Sequence, residues 1–182
     1  MGIITARRSP LRLGNIWWAF DDDSWQLLLD AGGRFAVSLM DKKGMNMLSP
    51  RQIEILEALV NRIIPADDAP GGWDGGVGDY LSGQFKRDLK HLIPVYSLGL
   101  DALDEEARAV HNRNFDQLDE SLQDNLLVGI ELGRVITPWV VDPMAFFRMA
   151  VEHCAEGYYS DPGNGGNKDR ASWGMIGFQV RG

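Results

Sequence analysis

Hydrophobic and polar positions fall into helical register from Leu48 onward and into no clear register before it. Ser49-Pro-Arg-Gln52 reads as a capping box with proline in the first turn, and Leu48 and Ile53 are spaced to form a hydrophobic staple. Ile53, Leu56, Val60 and Ile63, with Leu59 beside them, then mark one face of a helix that Pro65 stops after Ile64. A turn-rich connection over 66–76 leads to a second helix, with Val77, Tyr80, Leu81, Phe85, Leu89 and Leu92 inward and Lys86, Arg87, Asp88 and Lys90 outward. Pro94 opens a third helix whose face is Tyr96, Leu100, Leu103, Ala107 and Val110. Phe115 and Leu118 precede Asp119, the N-cap of a fourth helix through Leu122, Leu126 and Leu127. Val141-Asp142-Pro143 repeats the staple, cap and proline signals, and the fifth helix buries Phe147, Ala150, Val151 and Cys154. No segment alternates with period two. The pattern predicts an all-α fold: one small, irregular bundle of about five helices over 45–182.

Residues 1–44 lack that consistency. Arg7-Arg8 followed by Leu11 and Leu13 faintly resembles a twin-arginine export signal, but Ile16-Trp-Trp-Ala-Phe20 runs straight into Asp21-Asp22-Asp23, and Leu27–Leu29 is cut by Asp30. The segment is expected to be poorly structured, with at most a helix over 25–40 broken by Gly32-Gly33. Codons for Lys42-Lys43-Gly44 would make a purine-rich run like a ribosome-binding site, so translation is expected to begin at Met45 or Met47.

After the fifth helix the periodicity ends. Residues 157–178 are dense in glycine yet carry Tyr158, Tyr159, Trp173 and Phe178. Disorder comes with few aromatics, so this stretch is expected to be a long, ordered, functional loop.

Charge narrows the partners. The net charge is −8, which argues against nucleic acid and anionic membrane surfaces. It is uneven: residues 1–47 carry six Lys/Arg and five Asp/Glu, whereas residues 48–182 carry twelve and twenty-one. A single cysteine excludes an internal disulfide framework, and no apolar run approaches the roughly 20 residues that span a bilayer.

The titratable residues do not assemble a site. His91 and His111 are expected to close the second and third helices, where a cation suits the dipole. His153 and Cys154 are adjacent on one helix and so point about 100° apart, which defeats a nucleophile–base pair. Asp161, Asn164, Asn167 and Asp169 bring oxygens together, but not at EF-hand spacing, and an Asx-turn accounts for them more simply. Gly163-Asn-Gly-Gly166 has neither the P-loop lysine nor the strand and helix of a dinucleotide turn. Asp104-Glu105-Glu106 reads as a solvated helix face. The expectation is no catalytic, cofactor-binding or metal-binding residue in this chain.

Leu48-Ser-Pro-Arg-Gln52, then Leu59-Val-Asn-Arg-Ile-Ile-Pro-Ala-Asp-Asp-Ala-Pro-Gly71 and Gly76-Val-Gly-Asp-Tyr-Leu81, resemble the opening of the gluconate 2-dehydrogenase subunit 3 family. Gly157-Tyr-Tyr-Ser-Asp-Pro-Gly-Asn-Gly-Gly-Asn167, with Trp173 and Gly177-Phe178, is similar to that family's C-terminal signature. The resemblance implies a non-catalytic small subunit that helps an FAD-bearing large dehydrogenase subunit fold, mature or be exported, with a cytochrome c subunit as electron acceptor in some complexes. Sugar or polyol oxidation would then belong to the large subunit. Family members often carry a twin-arginine signal. Without a credible one here, a cytoplasmic location is expected, with the periplasm as the alternative.

Aromatics are enriched at interface cores, so the expected partner contacts are Trp73, Tyr158, Tyr159, Asp161, Pro162, Gly165, Gly166, Asn167, Trp173 and Phe178. Two other readings remain open. One is a free-standing enzyme or metal-binding protein using the 161–169 loop; the other is a chaperone released after maturation.

Overall fold

A computed structural model describes residues 47–178. The expectations for residues 1–44, including the export signal and the start at Met45, lie outside the described residues. Among the described residues the chain is helical without strands. It forms α1 (Pro50–Ile63), α2 (Val77–Gln84), α3 (Ile93–His111), α4 (Glu120–Glu131), α5 (Pro143–Tyr159) and the short α6 (Ala171–Met175).

The three expected caps are present. Ser49 and Gln52 bond reciprocally at the start of α1, the Asp119 side chain accepts from Leu122 N, and that of Asp142 accepts from Ala145 N. Each satisfies amides that the first helical turn leaves without an internal partner. α5 is the axis of the bundle and packs against all five other helices. Its Phe146 and Met149 meet Tyr96, Leu100 and Leu103 of α3, Leu59 and Val60 of α1, and Val77 and Leu81 of α2 in one core. Tyr96 stands at the centre, with Phe85 edge-on at 4.9 Å and Phe146 at 6.1 Å between ring centroids.

Several sequence expectations need correcting. In α1 the buried face is Gln52, Ile55, Leu56, Leu59 and Val60, while Ile53 is exposed. Gln52, read from sequence only as a capping residue, takes an inward position, where its amide is satisfied by donating to Ser97 Oγ (2.7 Å) and Asp101 Oδ1 (2.9 Å). In α3 the inward residues are as expected except Val110, which is exposed at the final turn. In α5 the deepest residues are Phe146, Met149, Ala150, Cys154 and Tyr158, with Phe147 and Val151 only half-buried.

The second helix is shorter than its periodicity suggests. It ends at Gln84, and a series of turns carries Phe85 and Leu89 to a 3-10 turn at Lys90–Leu92. Those turns keep Phe85, Leu89 and Leu92 against the core, so apolar spacing outlasts the helix. His91 consequently lies just before α3 and does not close a helix, whereas His111 is the last residue of α3.

The largest correction concerns Asp104-Glu105-Glu106, where only Glu105 is solvated. Asp104 is 4% exposed and Glu106 2%. Asp104 accepts from Phe115 N (2.9 Å), Arg51 (3.0 Å) and Arg108, which joins α1, α3 and the 115–117 turn. Glu106 accepts from Ile136 N (2.7 Å), Thr137 N (2.9 Å), the Thr137 hydroxyl and Trp139 Nε1 (3.5 Å). Burial pushes the Glu106 carboxyl up, but these hydrogen bonds outweigh it and hold the group below its usual range. Glu106 therefore anchors the connection between α4 and α5 from beneath.

Candidate docking surface

The two glycine-rich stretches, far apart in sequence, are neighbours in space. The 66–76 connection turns back on α1 through Gly72 N to Ile64 O (2.8 Å), and Gly76 closes it with φ at +97°. The segment after α5 folds onto this turn: Lys168 N donates to Gly75 O (2.9 Å) and the Tyr158 hydroxyl to Pro70 O (2.6 Å).

That segment begins later than its composition suggests. Gly157, Tyr158 and Tyr159 form the last turn of α5, and only then do 3-10 turns at Pro162–Asn164 and Lys168–Arg170 lead into α6. Gly166 passes so close to the end of α5 that a Cβ there would sit 1.9 Å from Gly157 O. Asn167, 1% exposed, holds the passage together. Its Nδ2 donates to Ser160 O (3.0 Å), and its Oδ1 accepts from Ser172 N (3.1 Å) and Ser172 Oγ (2.7 Å).

Of Asp161, Asn164, Asn167 and Asp169, two have side-chain oxygens engaged internally. Asp161 Oδ1 accepts from Gly163 N (2.8 Å), an Asx-turn, and the Asn167 oxygen is used as just described. Among the described residues no group of three or more His, Cys, Asp or Glu is arranged to hold a metal ion.

The expected contact residues separate into three sets by burial. Tyr158, Gly166 and Asn167 are buried and shape the surface from within. Tyr159, Asp161, Gly165 and Phe178 are exposed, while Pro162, Trp73 and Trp173 are half-buried. Tyr158 and Tyr159 are adjacent on the last turn of α5 and diverge accordingly, at 2% and 37% exposure. Trp173 packs edge-on against Phe178 at 5.0 Å between ring centroids. Sequence inspection missed Met175 and Ile176, both exposed beside them; consecutive apolar residues between Gly174 and Gly177 were the available signal. Together these side chains make an apolar, aromatic edge at the end of the bundle. Trp73 is not one of them. It lines a groove of about 290 Å³ between the start of α1 and α2, with Leu48, Ile53, Leu81 and Phe85.

His153 and Cys154 of α5 face inward. Cys154 is buried and its thiol is pushed up to about 12 by desolvation, which disfavours the thiolate. The thiol is expected to react with Ellman's reagent only after denaturant is added, and stoichiometric reaction with the native chain would contradict that burial. His153 Nδ1 lies 2.8 Å from the Tyr96 hydroxyl in the core. Burial, with the charge of His91 second, lowers its pKa to about 4, so it is neutral near pH 7.

An apolar, aromatic edge turned outward is the kind of surface that proteins bury against a partner. The chain belongs to the gluconate 2-dehydrogenase subunit 3 family, whose model matches residues 50–180. No individual curated protein and no solved structure matches it. Both paired stretches, 66–76 and 157–170, fall inside the matched region. Among the described residues no helix is long and apolar enough to cross a membrane.

Proposed function

We propose that this chain is the non-catalytic small subunit of an FAD-dependent sugar or polyol dehydrogenase and works by holding the large subunit. Family membership supports association with a gluconate dehydrogenase complex. The observation that carries the finer reading is the edge formed by Tyr159, Met175, Ile176 and Phe178 around Trp173. Surfaces of this kind are the usual core of protein interfaces, where a few aromatic anchors supply most of the binding energy. FAD and the oxidation then belong to the large subunit, a haem-bearing cytochrome c subunit is a further neighbour, and this chain supports folding, maturation or export.

The test is co-expression with a candidate FAD-dependent dehydrogenase large subunit from the same genome, followed by affinity purification. Trp173→Ala should cost about 2 kcal/mol of binding and visibly reduce recovery of the large subunit. Full recovery with both Trp173→Ala and Phe178→Ala would remove this edge from the interface. Sugar oxidation by the purified chain alone would favour the free-standing enzyme.

A further inference from the structure

Four methionines lie among the described residues, and their surroundings differ. Met149 is wholly buried in the core. Met144 is exposed, but its sulfur lies 3.3 Å from where a Cβ on Gly133 would stand, so it rests against the turn after α4. Met47 lines the groove beside Trp73. Met175, at 51% exposure, is the methionine of the aromatic edge; it ends α6, and Ile176 and Phe178 follow it. Its flanks are open. Gly174 precedes it and Gly177 follows Ile176, and nothing lies within 4 Å of a Cβ built at either.

A thioether in that position is open to two-electron oxidation by a hydroperoxide. The O–O bond breaks, the distal oxygen forms an S–O bond on Sδ, and its proton passes to the departing oxygen. With hydrogen peroxide the products are the sulfoxide and water; sulfur is oxidised and the peroxide is reduced. The single cysteine is buried, so no exposed thiol competes for the oxidant. Oxidation replaces a flexible apolar side chain with a polar, chiral one. Its new oxygen is an acceptor, which is costly to bury without a donor. The side chains of Ile176 and Phe178 offer none, and the Trp173 indole N–H already donates to Tyr159 O (3.4 Å).

Resting on the reading of this edge as the surface that holds the large subunit, we propose that Met175 is a reversible oxidation site that controls assembly. The thioether lets the edge dock, and the sulfoxide prevents it. Methionine sulfoxide reductases return the chain to its docking form. Docking in turn covers the sulfur, so the free subunit responds to peroxide and the assembled one is protected.

In the experiment the full chain is treated with hydrogen peroxide, and peptide mass spectrometry locates the added oxygen. The chain is then offered to a candidate FAD-dependent dehydrogenase large subunit from the same genome. Oxidation of Met175 should lower recovery of that subunit about tenfold, and the two epimer-specific methionine sulfoxide reductases together should restore it. Met175→Leu, with folding checked by its melting temperature, should recover the subunit equally well before and after peroxide. Loss of recovery by the peroxide-treated leucine variant would place the sensitive group elsewhere. Full recovery by the chain oxidised at Met175 would remove the switch. Either result overturns the proposal and leaves the accessory role standing. A second measurement needs no variant: in the preformed complex Met175 should oxidise several times more slowly than in the free chain, and equal rates would show an uncovered sulfur and overturn the proposal. If the untreated chain captures no dehydrogenase, the accessory reading falls with it.

Discussion

Gly166→Ala is expected to lower the melting temperature by about 10 °C, corresponding to roughly 3 kcal/mol. The new Cβ would lie 1.9 Å from Gly157 O and 2.8 Å from its carbonyl carbon, and neither backbone atom can rotate away. That carbonyl also accepts from Asn167 N (3.1 Å) and Ser160 Oγ (3.2 Å), so any retreat breaks the bonds that seat the segment on α5. Gly174→Ala is the matched control, because nothing lies within 4 Å of a Cβ there and alanine favours the helix. Differential scanning calorimetry on both variants decides the matter. Equal melting temperatures would mean that residues 160–170 do not pack against α5 as described.

Glu106→Ala should cost about 3–4 kcal/mol in urea denaturation, whereas Glu105→Ala one position away should fall within about 0.5 kcal/mol of the parent. Removing the carboxylate deprives Ile136 N, Thr137 N, the Thr137 hydroxyl and Trp139 Nε1 of their acceptor at once. Glu106→Gln keeps one acceptor oxygen and should fall between the two. The pH dependence has a definite sign. The folded carboxyl has a pKa below 4.5, so it binds protons less readily than in the unfolded chain. Its stabilisation is fully present above pH 4.5 and is lost as pH falls through the folded value. The stability gap between the parent and Glu106→Gln should therefore narrow below pH 4.5; a gap that widens there would exclude the ionised carboxylate as the acceptor.

These two residues illustrate what was legible in the chain. Signals that act over three or four positions were readable: the caps at Ser49, Asp119 and Asp142 all bond as expected, since donor and acceptor lie within one helical turn. The all-α class followed from periodicity. Glu106 was misread because its partners lie 30 or more positions away and are backbone amides, a hydroxyl and an indole N–H rather than a charged residue. Asp104 was misread likewise, since Arg51 lies 53 positions from it. Gln52 was legible only as a capping residue, because Ser97 and Asp101, which its amide also reaches, lie 45 and 49 positions away. The pairing of the 66–76 and 157–170 stretches was hidden for the same reason, although each was conspicuous alone. The groove beside Trp73 is formed by the angle between two helices, which a linear pattern does not encode.

The contact between Tyr158 and Pro70 also orders events in time. The two residues are 88 positions apart, and at typical elongation rates of 5–20 residues per second the ribosome takes roughly 4–18 s to make the second after the first. During that interval the 66–76 turn exists without its lid. A nascent chain thus acquires the aromatic edge only once the bundle that supports it has been synthesised.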